Sequence, residues 1–140
     1  MNKYTRLLRW SLFAGSAYFL SVAVAHQIGA KVPGLFVYFG LPSHPYQDRI
    51  ISVLCFGWAV FLFIAFLDHQ QDRTLVWGML VSGWAAILGL VKINTMSDLR
   101  SVSTVTELTV YWIETGAVAS YALWITLLAT KSRRDIHAQR

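Results

Sequence analysis

The sequence predicts an all-α integral membrane protein, an antiparallel four-helix bundle with four transmembrane helices and both termini in the cytoplasm. Hydrophobic residues make up 56% of the chain and charged residues 14%, against about 45–50% and about 25% in soluble proteins. Four windows carry almost no charge and approach the roughly 20 apolar residues that a membrane span needs. A chain of 140 residues is the size of one domain, so we expect a single transmembrane domain.

Each of the four windows ends at an ionisable residue, as expected at the edge of the hydrocarbon layer. They cover residues 10–30, 50–67, 74–91 and 108–130. The polar turn at 68–73 predicts that the second and third helices form a hairpin. The outer loop 31–49 has an apolar centre too short to span, and its prolines and glycines favour a partly interfacial position.

The distribution of basic residues predicts the orientation, because Lys and Arg collect on the cytoplasmic side of short loops. The tails and the 68–73 turn carry most of them: Lys3, Arg6, Arg9, Arg73, Lys131, Arg133, Arg134 and Arg140. The opposite side, called outer here, carries only Lys31, Arg49, Lys92 and Arg100. We therefore expect a prokaryotic plasma (inner) membrane protein whose termini face inward.

The first 25 residues also fit a secretory signal peptide, since they have a basic start, an apolar middle and the small-residue end Ala23-Val24-Ala25. Cleavage there would leave His26 as an N-terminal residue able to bind copper. The apolar run continues past Ala25, however, and we expect the first span to stay attached.

Small residues at four-residue spacing predict the faces through which the helices pack, because close approach drives helix association in membranes. The predicted faces are Ala17, Ser21 and Ala25 on the first helix, Gly78, Ser82, Ala86 and Gly89 on the third, and Gly116 and Ser120 on the fourth.

Glu114 is the most informative residue, because a carboxylate inside a membrane span is costly and is usually paired, protonated or facing water. It shares a predicted helix face with Glu107 and Tyr111, and Lys92 at the outer end of the third helix is its natural partner. Two interpretations remain open. Lys92 and Glu114 form an ion pair that fixes helix register, or Glu114 is an acid in a proton or ligand path.

The outer loop adds candidate residues to this outer-side pocket: His26, His44, Tyr46, Asp48 and Arg49. Asp48 can alternatively cap the N-terminus of the second helix. His26 and His44 are weak candidates for metal ligands. A haem between helices would want ligands on facing helices, and His26 is the only histidine within a predicted span. We predict no metal and no cofactor, because no HxxxH, HExxH or paired intramembrane histidine occurs.

The function predicted from these observations is a non-catalytic accessory or scaffold subunit of a membrane complex, because no catalytic signature is present. The alternative is a small binding or transport protein for a proton, ion, lipid or quinone that uses the pocket around Glu114 and Lys92. An intramembrane enzyme is the least favoured hypothesis. Expected partners are membrane lipids and a membrane protein or a second copy, and no nucleic acid. The lone cysteine, Cys55, excludes an intramolecular disulfide.

Overall fold

A computed structural model describes residues 3–68 and 74–137, with side chains up to residue 132. The described chain contains four long α-helices and one short 3₁₀ turn. The helices are α1 (Lys3–Gln27), α2 (Pro45–Leu67), α3 (Thr74–Met96) and α4 (Thr109–His137), and the 3₁₀ turn is Leu99–Ser101. All four are long and apolar enough to cross a membrane, so the described residues contain as many candidate spans as the sequence predicts. The turn predicted between α2 and α3 falls at 69–73, outside the described residues.

The helix ends follow local backbone chemistry and differ from the apolar windows by several residues. Helix α1 stops at Gln27, and Gly29 follows with φ of 70°, a conformation that glycine adopts without strain. Helix α2 starts at Pro45, because proline suits the first helical position. The predicted cap at Asp48 is therefore wrong: His44 is the N-cap residue, and its N–H donates to the Gln47 side chain at 2.9 Å.

Helices α1 and α2 are joined by hydrogen bonds that recur every seven residues. Three side chains donate to backbone carbonyls of the neighbouring helix: Arg9 to Phe66 at 3.0 Å, Ser16 to Ala59 at 2.8 Å and Ser52 to Ala23 at 2.8 Å. Each step forward along α1 is a step back along α2, so the two helices are antiparallel. A seven-residue repeat is the period of left-handed helix packing.

Helix α4 packs between α1 and α3 and is antiparallel to both. Towards α1, the Tyr121 hydroxyl donates to the Ser11 carbonyl at 2.8 Å, and the hydroxyls of Thr5 and Ser132 lie 2.6 Å apart. Two further bonds join α3 to α4, from Trp84 to Thr126 at 3.3 Å and from Asn94 to Thr115 at 3.0 Å. Helices α2 and α3 touch only slightly.

The apolar core that all four helices share lies in the inner half of the bundle, towards the chain termini. Its buried members are Leu8 and Leu12 of α1, Leu62 and Ala65 of α2, Val76 and Leu80 of α3, and Ile125, Leu128 and Ala129 of α4. In the outer half a separate cluster contains Val22, Ala25 and Phe36. The segment 28–44, called the strap below, contributes Phe36 to this outer cluster.

The predicted small-residue faces lie mostly on the outside of the bundle. On α1, Ala17 and Ser21 are exposed, and the close contacts are instead made by Gly15, Ser16 and Ala23, which are buried. The faces of α3 and α4 are exposed as well. The third predicted residue of α1, Ala25, is buried. The α1 prediction failed at the other two because the spacing rule does not say which face of a helix meets a partner.

Gly15 is the position at which a methyl group should do most harm. A Cβ at this position would overlap the Tyr121 hydroxyl, which bonds to Ser11. We expect Gly15→Ala to lower the free energy of unfolding by about 1–3 kcal/mol, as other overpacked sites do. Thermal unfolding in detergent measures this, and Gly89→Ala is the control because a Cβ there meets nothing. Equal stability of the two variants would contradict the α1–α4 contact.

Candidate functional site

The Asp48 carboxylate is the centre of the densest polar cluster at the outer end of the bundle. Asp48 lies in the first turn of α2 and its side chain is 10% exposed. Its oxygens accept hydrogen bonds from Lys31 at 3.0 Å and from Ser43 at 2.9 and 2.8 Å, and Nδ1 of His26 lies 3.1 Å away. Lys31 also donates to Ser43. Asp48 thus joins the end of α1, both ends of the strap and the start of α2.

The Asp48 cluster is an ion pair between Lys31 and Asp48 that further hydrogen bonds surround. Lys31 supplies the opposite charge, and the carboxylate fixes the His26 ring, which stacks on Phe36 with centroids 4.1 Å apart. A buried carboxylate that receives several donors is satisfied in place. The described residues contain no group of three His, Cys, Asp or Glu side chains that could hold a metal.

A second polar cluster joins the strap to α3 and α4. The Tyr38 hydroxyl donates to Asn94 at 2.8 Å and to the Leu90 carbonyl at 3.2 Å. Asn94 then donates to Thr115, whose hydroxyl donates to the Tyr111 carbonyl at 2.7 Å. Burial raises the pKa of the Tyr38 hydroxyl, and the neighbouring Tyr111 raises that pKa further. Tyr38 is therefore a protonated hydrogen-bond donor at neutral pH.

Tyr111 is fully buried under the strap. Its ring packs edge-on against Tyr38 at 5.3 Å, and its hydroxyl lies 2.6 Å from that of Ser103. A Cβ on Gly40 would overlap this hydroxyl and Val105, so glycine is needed for the close approach. The Gly40 carbonyl accepts two hydrogen bonds from Thr104, from its backbone N–H and from its hydroxyl, both at 2.9 Å.

The predicted ion pair between Lys92 and Glu114 is not formed, and neither residue has an ion-pair partner among the described side chains. Asn94 faces α4, so Lys92, two positions earlier and about 200° around the helix, faces away from α4 and is exposed. Glu114 is half-buried and lies near Tyr18 of α1. The two residues therefore lie on different sides of the bundle.

The remaining candidates are at the surface. His44 and Tyr46 are exposed and stack on each other with ring centroids 5.7 Å apart. Arg49 and Glu107 are exposed and make no ion pair with any residue in the described part of the chain. Glu107 precedes the first residue of α4, so it does not share the predicted helix face with Glu114.

Sequence reasoning missed the residues that complete both clusters: Lys31 and Ser43 around Asp48, and Tyr38, Asn94, Thr115, Gly40 and Ser103 around Tyr111. A signal for Asn94 was available, since an amide beyond the apolar window of α3 needs a hydrogen-bond partner when buried. No comparable signal exists for Ser43 or Thr104, which are ordinary loop residues in the sequence.

Comparison with known proteins assigns no relative to this chain. No family model matches it, and no curated protein or solved structure is significantly similar to it. Its function must therefore be argued from its own geometry.

The Asp48 cluster should be important for stability because three of its contacts converge on one buried carboxylate. We expect Asp48→Asn to lower the free energy of unfolding by about 1.5–3 kcal/mol, since a charge-assisted bond is lost and Lys31 is left without its anion. Chemical unfolding followed by circular dichroism measures the change. Asp98→Asn is the matched control, because Asp98 is exposed and makes no capping bond. Equal effects of the two variants would contradict the assignment.

The separation of Lys92 and Glu114 predicts independent effects on stability. In a double-mutant cycle of Lys92→Gln and Glu114→Gln, the changes in unfolding free energy caused by the two single substitutions should add up to that of the double variant within about 0.3–0.5 kcal/mol. A coupling energy clearly above that range would show that the two side chains meet.

Proposed function

We propose that the protein is a non-catalytic accessory subunit that packs against a transmembrane helix of another membrane protein through the outward face of α3. This face consists of Gly78, Ser82, Ala86 and Gly89, all of which are exposed. The observation that carries the proposal is that these small residues are exposed and that an added Cβ on Gly78 or Gly89 would meet no other helix of the described chain.

The glycines of this face are not required by the protein's own packing. A Cβ added to Gly78 or Gly89 would meet no atom within 4 Å, and neither glycine has a positive φ. Glycine inside a helix costs about 0.5–1 kcal/mol relative to alanine in soluble proteins. Ser82 bonds only to the Gly78 carbonyl of its own helix, at 3.0 Å. A flat surface of this kind suits close approach by another helix.

Exposure to lipid alone does not explain the small side chains. Helix α2 is also largely exposed, and its outward residues are large, for example Val53 at 69% and Leu54 at 62%. On α3 the large exposed residues Val81 and Leu88 instead stand beside the four small ones. Helix α3 has the smallest buried share of the four spans, 17% of its most apolar window against 33% in α1. The helix that is least covered by its own chain thus carries the face best suited to a partner.

The proposal is tested by purifying the full chain in mild detergent from its native membrane. We expect a stoichiometric membrane protein to co-purify, and its amount to fall at least about tenfold, the effect of 1.4 kcal/mol, in Ala86→Leu. The matched control is Ala14→Leu, an exposed alanine of α1, which should retain the partner. Native mass spectrometry identifies the bound species. Equal capture by both variants, or a second copy of this chain as the bound species, would overturn the proposed heteromeric contact.

We further propose that both termini face the cytoplasm of a prokaryotic cell, on the basis of the Lys and Arg distribution. A reporter fused after Arg140 and one inserted within residues 101–106 should then report opposite sides of the membrane, the first cytoplasmic. Reporters on the same side would contradict the four-span topology.

One observation favours the alternative, a small binding or transport protein for a proton, ion, lipid or quinone. Glu114 is half-buried in a candidate span, and no described side chain pairs with it, as is common for functional intramembrane acids. Lys92 faces away from it, so the polar pair on which this alternative relied is not assembled. We therefore place it second.

A further inference from the structure

The four helices form two pairs that are connected differently at the two ends of the bundle. In the inner half all four contribute to one apolar core. The hydrogen bonds that join Thr5 and Ser11 of α1 to α4 also belong to this half, and Gly15 approaches Tyr121 next to them. Beyond this point Tyr18 of α1 lies near Glu114 of α4, and its hydroxyl bonds to the strap.

The strap connects the two pairs in the outer half. Its two ends are bound to the α1–α2 pair, since Lys31 and Ser43 both bond to Asp48. Near its middle, Phe36 packs in the cluster with Val22 and Ala25 of α1, and the Leu35 carbonyl accepts from Tyr18 at 2.9 Å.

The tip of the strap, residues 38–40, contacts the α3–α4 pair and the loop that joins these helices. Tyr38 bonds to Leu90 and Asn94 of α3, and the Gly40 carbonyl is held by Thr104 of the loop between α3 and α4. Tyr111 of α4 packs against Tyr38 and Phe39. Phe36 therefore packs against the α1–α2 pair, and Tyr38, two residues later, bonds to the α3–α4 pair.

We propose that the strap is a releasable clamp, and that its release lets the α1–α2 and α3–α4 pairs separate at the outer end while the inner core holds them together. The inner core acts as the hinge, because it is the part in which apolar side chains of all four helices interlock. Separation moves α1 away from α4 beyond Gly15, at the level of Tyr18 and Glu114. Hinged movement of packed units about a fixed contact is a common form of conformational change.

The test measures distances between spin labels on α2 and α4 in the full chain with Cys55→Ser. Labels at Ile50→Cys and Ile113→Cys report the outer end, and labels at Ile64→Cys and Leu127→Cys report the inner end. All four positions are exposed, so the labels do not disturb the core. The bonds between the strap tip and the α3–α4 pair are weakened by Tyr38→Phe with Thr104→Val, which removes two hydroxyls and little volume. Tyr46→Phe with Thr106→Val is the matched control, because both residues are exposed and neither hydroxyl makes a side-chain contact in the described structure.

We expect the distance between the two outer labels to lengthen by about 5 Å, the length of one helical turn, or its distribution to widen at least twofold. The inner distance should not change, and the control should match the parent protein at both ends. An unchanged outer distance in the released variant would overturn the proposal, and so would an equal change at the inner end, which indicates general loosening. Gly40→Ala provides a second release variant, since its Cβ would overlap Val105 and Tyr111; the same outcomes apply to it.

Discussion

The outer half of the molecule depends on the carboxylate of Asp48. It lies in the first turn of α2 and holds Lys31, Ser43 and His26 within 3.1 Å. A charge in so apolar a chain is stable only where donors surround it. Asp48 therefore joins the end of α1 and both ends of the strap to the first turn of α2. The serine bonds to Ala59 and Ala23 continue these connections along the α1–α2 pair.

The helices meet through polar side chains as much as through apolar ones. Arg9, two serines and a tyrosine donate to carbonyls of neighbouring helices, as Ser16 does to Ala59 and Tyr121 does to Ser11. In a hydrocarbon environment apolar side chains gain little by leaving lipid for a neighbouring helix, so such bonds and close packing select the arrangement. The four-helix core around Leu12 and Leu128 then fills the space that these bonds define.

The number and type of elements could be predicted from the sequence, and the pairing of polar residues could not. Apolar length is a local property, so four spans follow from composition. The direction in which Glu114 or Lys92 points depends on which helix becomes a neighbour, and the spacing rule allows several answers. Asp48 was among the candidates, but its partners Lys31 and Ser43 were not, because a contact across a loop leaves no periodic signal. The predicted α1 face at Ala17 and Ser21 is exposed, because the spacing of small residues does not identify which neighbouring helix they meet.

The confinement of the shared apolar core to the inner half also determines the order in which the chain can assemble. Once the spans are inserted, residues such as Leu8, Leu62 and Leu80 can associate without the strap, since none of their contacts involves it. The strap reaches α3 through Tyr38, which donates to Asn94, and Asn94 in turn donates to Thr115 of α4. Because segments held by few apolar contacts open more readily than a packed core, we expect local unfolding to begin at the strap.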